Sequence, residues 1–127
     1  GCFIAGVIGA SAGRFRLGVL ASGLLQAGVG DQTVFPGATM DVRGQTVVVG
    51  LTASGGTARI FAGSTQQSSV AYTGAAATNV AAMFGASSGN GTAQQFFPGS
   101  VKRIAFGRVD LSLSDFQQIR NEWLAAA

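Results

Sequence analysis

Two glycines side by side, Gly55-Gly56, constrain this chain more than any other feature. They separate two strand-like runs, "QTVVVGLTA" at 45–53 and "TARIFAG" at 57–63. Adjacent glycines accept positive φ at both positions, which the tightest hairpin turns require. Ala58, Ile60 and Ala62 fall on one side of the second run, and Thr57, Arg59 and Phe61 on the other. The first run is β-branched and apolar on both sides, which predicts a central strand.

The same grammar recurs along the chain. "FIAGVI" at 3–8 reads as a buried strand, and "GASAG" at 9–13 as a turn. In "RFRLGVL", 14–20, Phe15, Leu17 and Val19 alternate with Arg14, Arg16 and Gly18, the period of a half-buried strand. Ser22-Gly23 predicts a turn, with "LLQAGVG", 24–30, returning as the hairpin partner. Residues 31–44 read as a loop that turns at Pro36-Gly37. Further strands are predicted at 68–74, with Val70 and Tyr72 on one face, and at 79–87. A polar Gly-rich loop is predicted at 88–95, and a last long strand, with a bulge, at 97–109. Twenty glycines and two prolines suit an all-β chain with many tight turns.

One helix interrupts this pattern. Ser114 predicts an N-cap, with Gln117 at the capping-box spacing and Asp115 in the first turn, where the helix dipole favours negative charge. Phe116, Ile119 and Trp123 then make one apolar stripe. A helix this short is marginal in isolation, so the stripe must pack on the sheets and close the domain.

At 127 residues the chain makes one domain, 1–127. It begins Gly1-Cys2 with neither an initiator Met nor a signal peptide, which predicts the C-terminal part of a longer polypeptide. Charged residues make up only 10%, low for an isolated soluble surface, which implies cover by neighbours or a surface of Ser, Thr, Gln and Asn. Net charge is +3, but the basic residues are scattered and form no run, so they read as solvated strand positions and no nucleic-acid partner is expected. No apolar run reaches membrane-spanning length, so no membrane partner is expected either.

Several motifs together resemble a known family. Phe97-x-Gly99-x-Val101-x-x-Ile104-x-Phe106 leads into Leu111-Ser112 or Leu113-Ser114 and the helix. This is similar to the end of laminin-G-like, concanavalin A-like lectin/glucanase domains, where a strand F-x-G-x-I-x-x-V-x-I-Y precedes L-S-x-x-E-I and a short closing helix. Residues 45–63 resemble that family's central hairpin, and 80–87 its following strand. The chain departs from the pattern in lacking the hairpin Trp near Gln45 and the Asp before Gly63, in placing Phe116 where an acid is frequent, and in having no opening strand before Gly1. The resemblance implies an all-β, two-sheet antiparallel jelly-roll sandwich with a short C-terminal helix. It also implies a virion or extracellular-surface setting: a non-catalytic structural or adhesion module with protein partners, of the kind found in bacteriophage virion and bacterial surface proteins, or alternatively a lectin-like module for cell-surface glycans.

Chemistry-bearing residues are few. The five acids are Asp31, Asp41, Asp110, Asp115 and Glu122, and none forms the E-x-D-x-x-E motif of the related glucanases. With no His and one Cys, at position 2, His-dependent triads and zinc sites are excluded and no enzyme is expected. No cofactor is expected beyond the calcium that the resemblance allows. Its candidate ligands are Asp31, Asp41, Asn79 and Asn90, which lack any D-x-D-x-D order and read better as turn residues. Trp123 on the helix stripe reads as core. Phe96 and Phe97 point opposite ways if extended, so one is exposed beside "SGNGTAQQ". Candidate contacts to a glycan or a protein partner are therefore Asn90, Gln94, Gln95 and Phe96, with Asn79 and Asp31.

Overall fold

A computed structural model describes residues 2–8, 14–30, 39–73, 83–84, 87–89, 92–94, 97–105, 107 and 110–126. The described chain is mostly antiparallel β-sheet with one C-terminal helix. The first sheet has four strands: β1 (Cys2–Ile8), β2 (Arg14–Val19), β3 (Leu25–Gly30) and, after the second sheet in sequence, the short β7 (Met83–Phe84). Their order is β3-β2-β1-β7. The second sheet runs β4 (Val49–Ser54), β5 (Thr57–Ala62), β6 (Thr65–Ala71) in that order. The helix α1 spans Leu113–Ala125.

Register explains the core. Phe15, Leu17 and Val19 stand opposite Val29, Ala27 and Leu25, so six apolar side chains share one face of β2 and β3. On the second sheet, Val49, Leu51 and Ala53 stand opposite Ala62, Ile60 and Ala58. Val19, Leu25, Ala27, Val29, Ala58, Ile60 and Ala62 form a single buried cluster drawn from both sheets, so the two sheets pack face to face. Gly55 and Gly56 both have positive φ, at 57° and 79°, in the predicted hairpin turn. A second two-residue turn, with Gly63 at φ 59°, joins β5 to β6.

Gly30 is a closer fit. It ends β3 at φ 56°, and a Cβ placed there would lie 2.1 Å from the Thr73 carbonyl oxygen. Only glycine lets the chain after β6 pass this near to β3.

The helix covers the outer face of the second sheet. Phe61 points away from the inter-sheet core, and its ring stacks on Phe116 with centroids 5.1 Å apart and 17° between planes. Gly50, opposite Phe61 in the ladder, leaves room for that ring: a Cβ there would meet two Phe116 ring atoms at 3.1 Å. Phe116 is the buried residue of α1, while Ile119 and Trp123 are half-buried. Gln117 adds a hydrogen bond from its side-chain amide to the Ser64 carbonyl at 2.8 Å.

Four expectations need correction. Among the described residues, the run 45–53 forms an edge strand over 49–54, not a central one; its outer face lacks charge because Phe116 covers Gly50. Residues 88–95 are not all loop: β8 (Ser87–Gly89) and β9 (Thr92–Gln94) pair as an antiparallel hairpin. Residues 97–105 form no strand; 98–105 are exposed, and Pro98 gives no N–H to a ladder. The N-cap is Ser112, two residues earlier than expected: its hydroxyl accepts from Asp115 N at 3.1 Å, and the Asp115 carboxylate accepts from Ser112 N at 3.1 Å. Ser114 lies inside the first turn. The turn expected at 36–37 and the strand positions 79–82 lie outside the described residues.

Candidate functional site

Of the residues singled out from sequence, the structure describes Asp41, Gln94, Phe97 and Trp123. Asp31, Asn79, Asn90, Gln95 and Phe96 lie outside the described residues. Gln94 ends β9, opposite Ser87. Phe97 is half-buried against the core cluster. Trp123 is half-buried and carries the Arg103 guanidinium 5.5 Å above its ring. Among the described residues, no group of three or more His, Cys, Asp or Glu is placed to hold a metal ion. No helix among them is long and apolar enough to cross a membrane.

Asp41, a candidate calcium ligand, is engaged elsewhere. Arg43 Nη2 reaches its Oδ2 at 2.6 Å, and Arg43 Nε lies 3.0 and 3.1 Å from the two carboxylate oxygens. The side-chain hydrogen bonds from Arg43, and then its backbone N–H, hold the Asp41 carboxyl below its ordinary pKa, while Asp41 raises that of Arg43. The pair sits where Asp41 bridges to Leu24, with Val42 N donating to the Gly23 carbonyl at 3.0 Å. A carboxyl with a lowered folded-state pKa stabilises the fold above its unfolded pKa, and this contribution is lost as pH falls through the folded value. Asp41→Asn therefore lowers the urea midpoint at neutral pH, and the gap to the wild type closes on acidification below the ordinary carboxylate range. Both partners are exposed, so the gap is small and shrinks with added salt; urea titrations at several pH values and two ionic strengths check this.

The polar cluster that the fold does build lies on the outer face of the second sheet, where the chain enters α1. The β4–β5 register puts Thr52 opposite Arg59. Thr52 Oγ1 donates to Asp110 Oδ1 at 3.1 Å and accepts from Leu111 N at 3.3 Å, while Arg59 Nη1 reaches the same Asp110 oxygen at 3.4 Å. Beside it, Arg59, Gln66, Asp110, Leu111, Ser112 and Leu113 line a shallow cleft of about 340 Å³. The Thr52–Arg59 half of this cluster was legible in the hairpin pattern. Asp110, more than fifty residues away in sequence, carried no local signal.

This arrangement joins the second sheet to the start of α1. Asp110 supplies its carboxylate, while the Asp115 carboxylate accepts from Ser112 N at the helix cap. Its hydroxyl, guanidinium and carboxylate bind one another and clamp the helix entrance to the sheet. Thr52→Val keeps the shape but strips the hydroxyl from a buried position that serves both Asp110 and Leu111 N. It is expected to cost about 1–2 kcal/mol in urea unfolding.

Compared with known proteins, the chain matches no family model, no curated protein and no solved structure.

Proposed function

We propose that this chain is a non-catalytic structural or adhesion module of a large assembly, folded as a jelly-roll β-sandwich of the laminin-G-like kind. The observation that carries this reading is the exposed apolar surface. Val101, Ile104, Leu113 and Leu124 are 37–41% exposed, on the 97–105 segment and on α1. Exposed apolar side chains are unremarkable singly but suit a docking surface when they recur on neighbouring elements. Arg103 over Trp123 brings those two elements together. The low charge of the chain and the clamping role of its polar cluster support packing over chemistry. The resemblance of residues 45–124 to laminin-G-like domains supports a virion or extracellular-surface setting.

A glycan-array screen of the purified chain, with calcium and with chelator, separates this reading from that of a lectin. The structural module gives no saturable binding in either condition. Saturable binding to a defined sugar would replace it with the carbohydrate-binding reading, and loss of that binding with chelator would assign the loop Asp and Asn residues to calcium.

A further inference from the structure

We propose that α1, with Asp110 and Leu111 at its entrance, is a strap over the outer face of the second sheet. It opens and closes as one unit while the two sheets stay packed on each other. Closed, it seals the Phe61 ring; open, it uncovers that ring. The inference goes beyond the assembly-module reading and does not depend on what that module binds.

The inter-sheet core is built without the helix. Its buried cluster is drawn from β2, β3 and β5, and the half-buried side chains packed on that cluster include none from α1. Phe116 is the buried residue of the helix, and it meets Phe61 on the other side of the sheet. The remaining attachments gather at the start of α1. Asp110 and Leu111 hold Thr52, Arg59 reaches Asp110, and Gln117 reaches the Ser64 carbonyl. Ile119 and Trp123 are only half-buried, and Leu113 and Leu124 are exposed. A thirteen-residue helix has little stability of its own, so its order and its docking rise and fall together.

The approach to the helix suits such a strap. Phe97 packs against the core cluster and anchors the segment there. Residues 98–105 are exposed and form no strand, so their movement breaks no ladder among the described residues. Arg103 lies 5.5 Å above the Trp123 ring and ties this segment to the helix. Phe61 itself is fully buried, so its exposure reports directly on whether the strap is open. Opening of this kind is local unfolding, at a lower free energy than separation of the sheets.

Native-state hydrogen exchange of the purified chain in low concentrations of urea tests the proposal. The amides of residues 117–125 are expected to share one protection factor, at least about tenfold below that of the β2–β3 amides. Their urea dependence is expected to be much the smaller, because opening the strap exposes less surface than global unfolding. Phe116→Leu lowers the protection of the helix amides by about tenfold. Gly44→Ala, in the segment beside the β2–β3 turn, lowers that of the β2–β3 amides by about fivefold and leaves the helix amides as in the wild type. Helix amides with the same urea dependence as the β2–β3 hairpin overturn the proposal, as do helix amides that lose protection together with the hairpin in Gly44→Ala. Protection that falls steadily toward Ala125 also overturns it, because it shows fraying from the end in place of a single opening. The wild-type result decides the matter even if a variant fails to fold.

Discussion

Phe116→Ala is expected to release the helix and cost the fold about 3–5 kcal/mol. The ring is the buried anchor of α1, stacked on Phe61 and seated in the space left by Gly50. Truncation removes the aromatic pair and opens a cavity above Phe61, a side chain that is otherwise fully buried. A thirteen-residue helix has little stability of its own, and the hydrogen bonds from Gln117 and the Ser112 cap do not replace the lost burial. Against a total stability of about 5–15 kcal/mol, this loss is a large share. The expected result is a fall in melting temperature of about 10 °C or more, with helical signal lost before sheet signal. Phe116→Leu, which refills most of the volume, is expected to lose less than half as much. Thermal unfolding followed by circular dichroism at helix-sensitive and sheet-sensitive wavelengths checks both. Coincident, unshifted transitions in the alanine variant would show that the helix is held by other contacts.

Gly30→Ala is expected to cost about 2–4 kcal/mol, while Gly44→Ala costs only about 1 kcal/mol. The two glycines share a left-handed backbone, with φ of 56° and 69°. They differ in what surrounds them. A Cβ at Gly44 meets nothing within 4 Å, whereas at Gly30 it meets the Thr73 carbonyl oxygen at 2.1 Å and a Tyr72 ring atom at 3.1 Å. The obstacle at Gly30 is backbone and cannot rotate aside, so β3 and the chain leaving β6 must separate. The difference between the two variants thus isolates the close approach from the shared conformational strain. Urea unfolding of both measures it, and equal losses would show that the approach contributes nothing.

The parts of the fold that sequence made legible are those decided locally. Gly55-Gly56 predicted a hairpin because two adjacent positive φ values leave few other choices, and a two-residue turn fixes the register of the strands on either side. Phe15, Leu17 and Val19 sorted to one face for the same reason, with Leu25, Ala27 and Val29 opposite. The parts that were not legible depend on a distant neighbour. Residues 97–105 read as part of a bulged strand, yet a strand exists only where a ladder accepts it. The outward face of β4 looked like the inside of a sheet because a helix more than sixty residues later lies over Gly50. Ser112 and Ser114 offer similar capping spacings, to Asp115 and Gln117, and what separates them is the extended backbone of Ser112, with φ −75° and ψ 165°. The candidate site followed the same rule: the Thr52–Arg59 pair is a hairpin property, and Asp110 joins it only through the tertiary fold. The association reading draws on both kinds of information, because low charge is a sequence property and the meeting of the 97–105 segment with α1 is not.

The measurement that tests the association account most directly is hydrogen–deuterium exchange of the chain at low and high concentration, read over 101–105 and 113–125. The account predicts that these two segments, which carry the exposed apolar side chains, exchange more slowly at high concentration, while the β2–β3 hairpin, already buried, is unaffected. Identical exchange in all three segments at every concentration would contradict it.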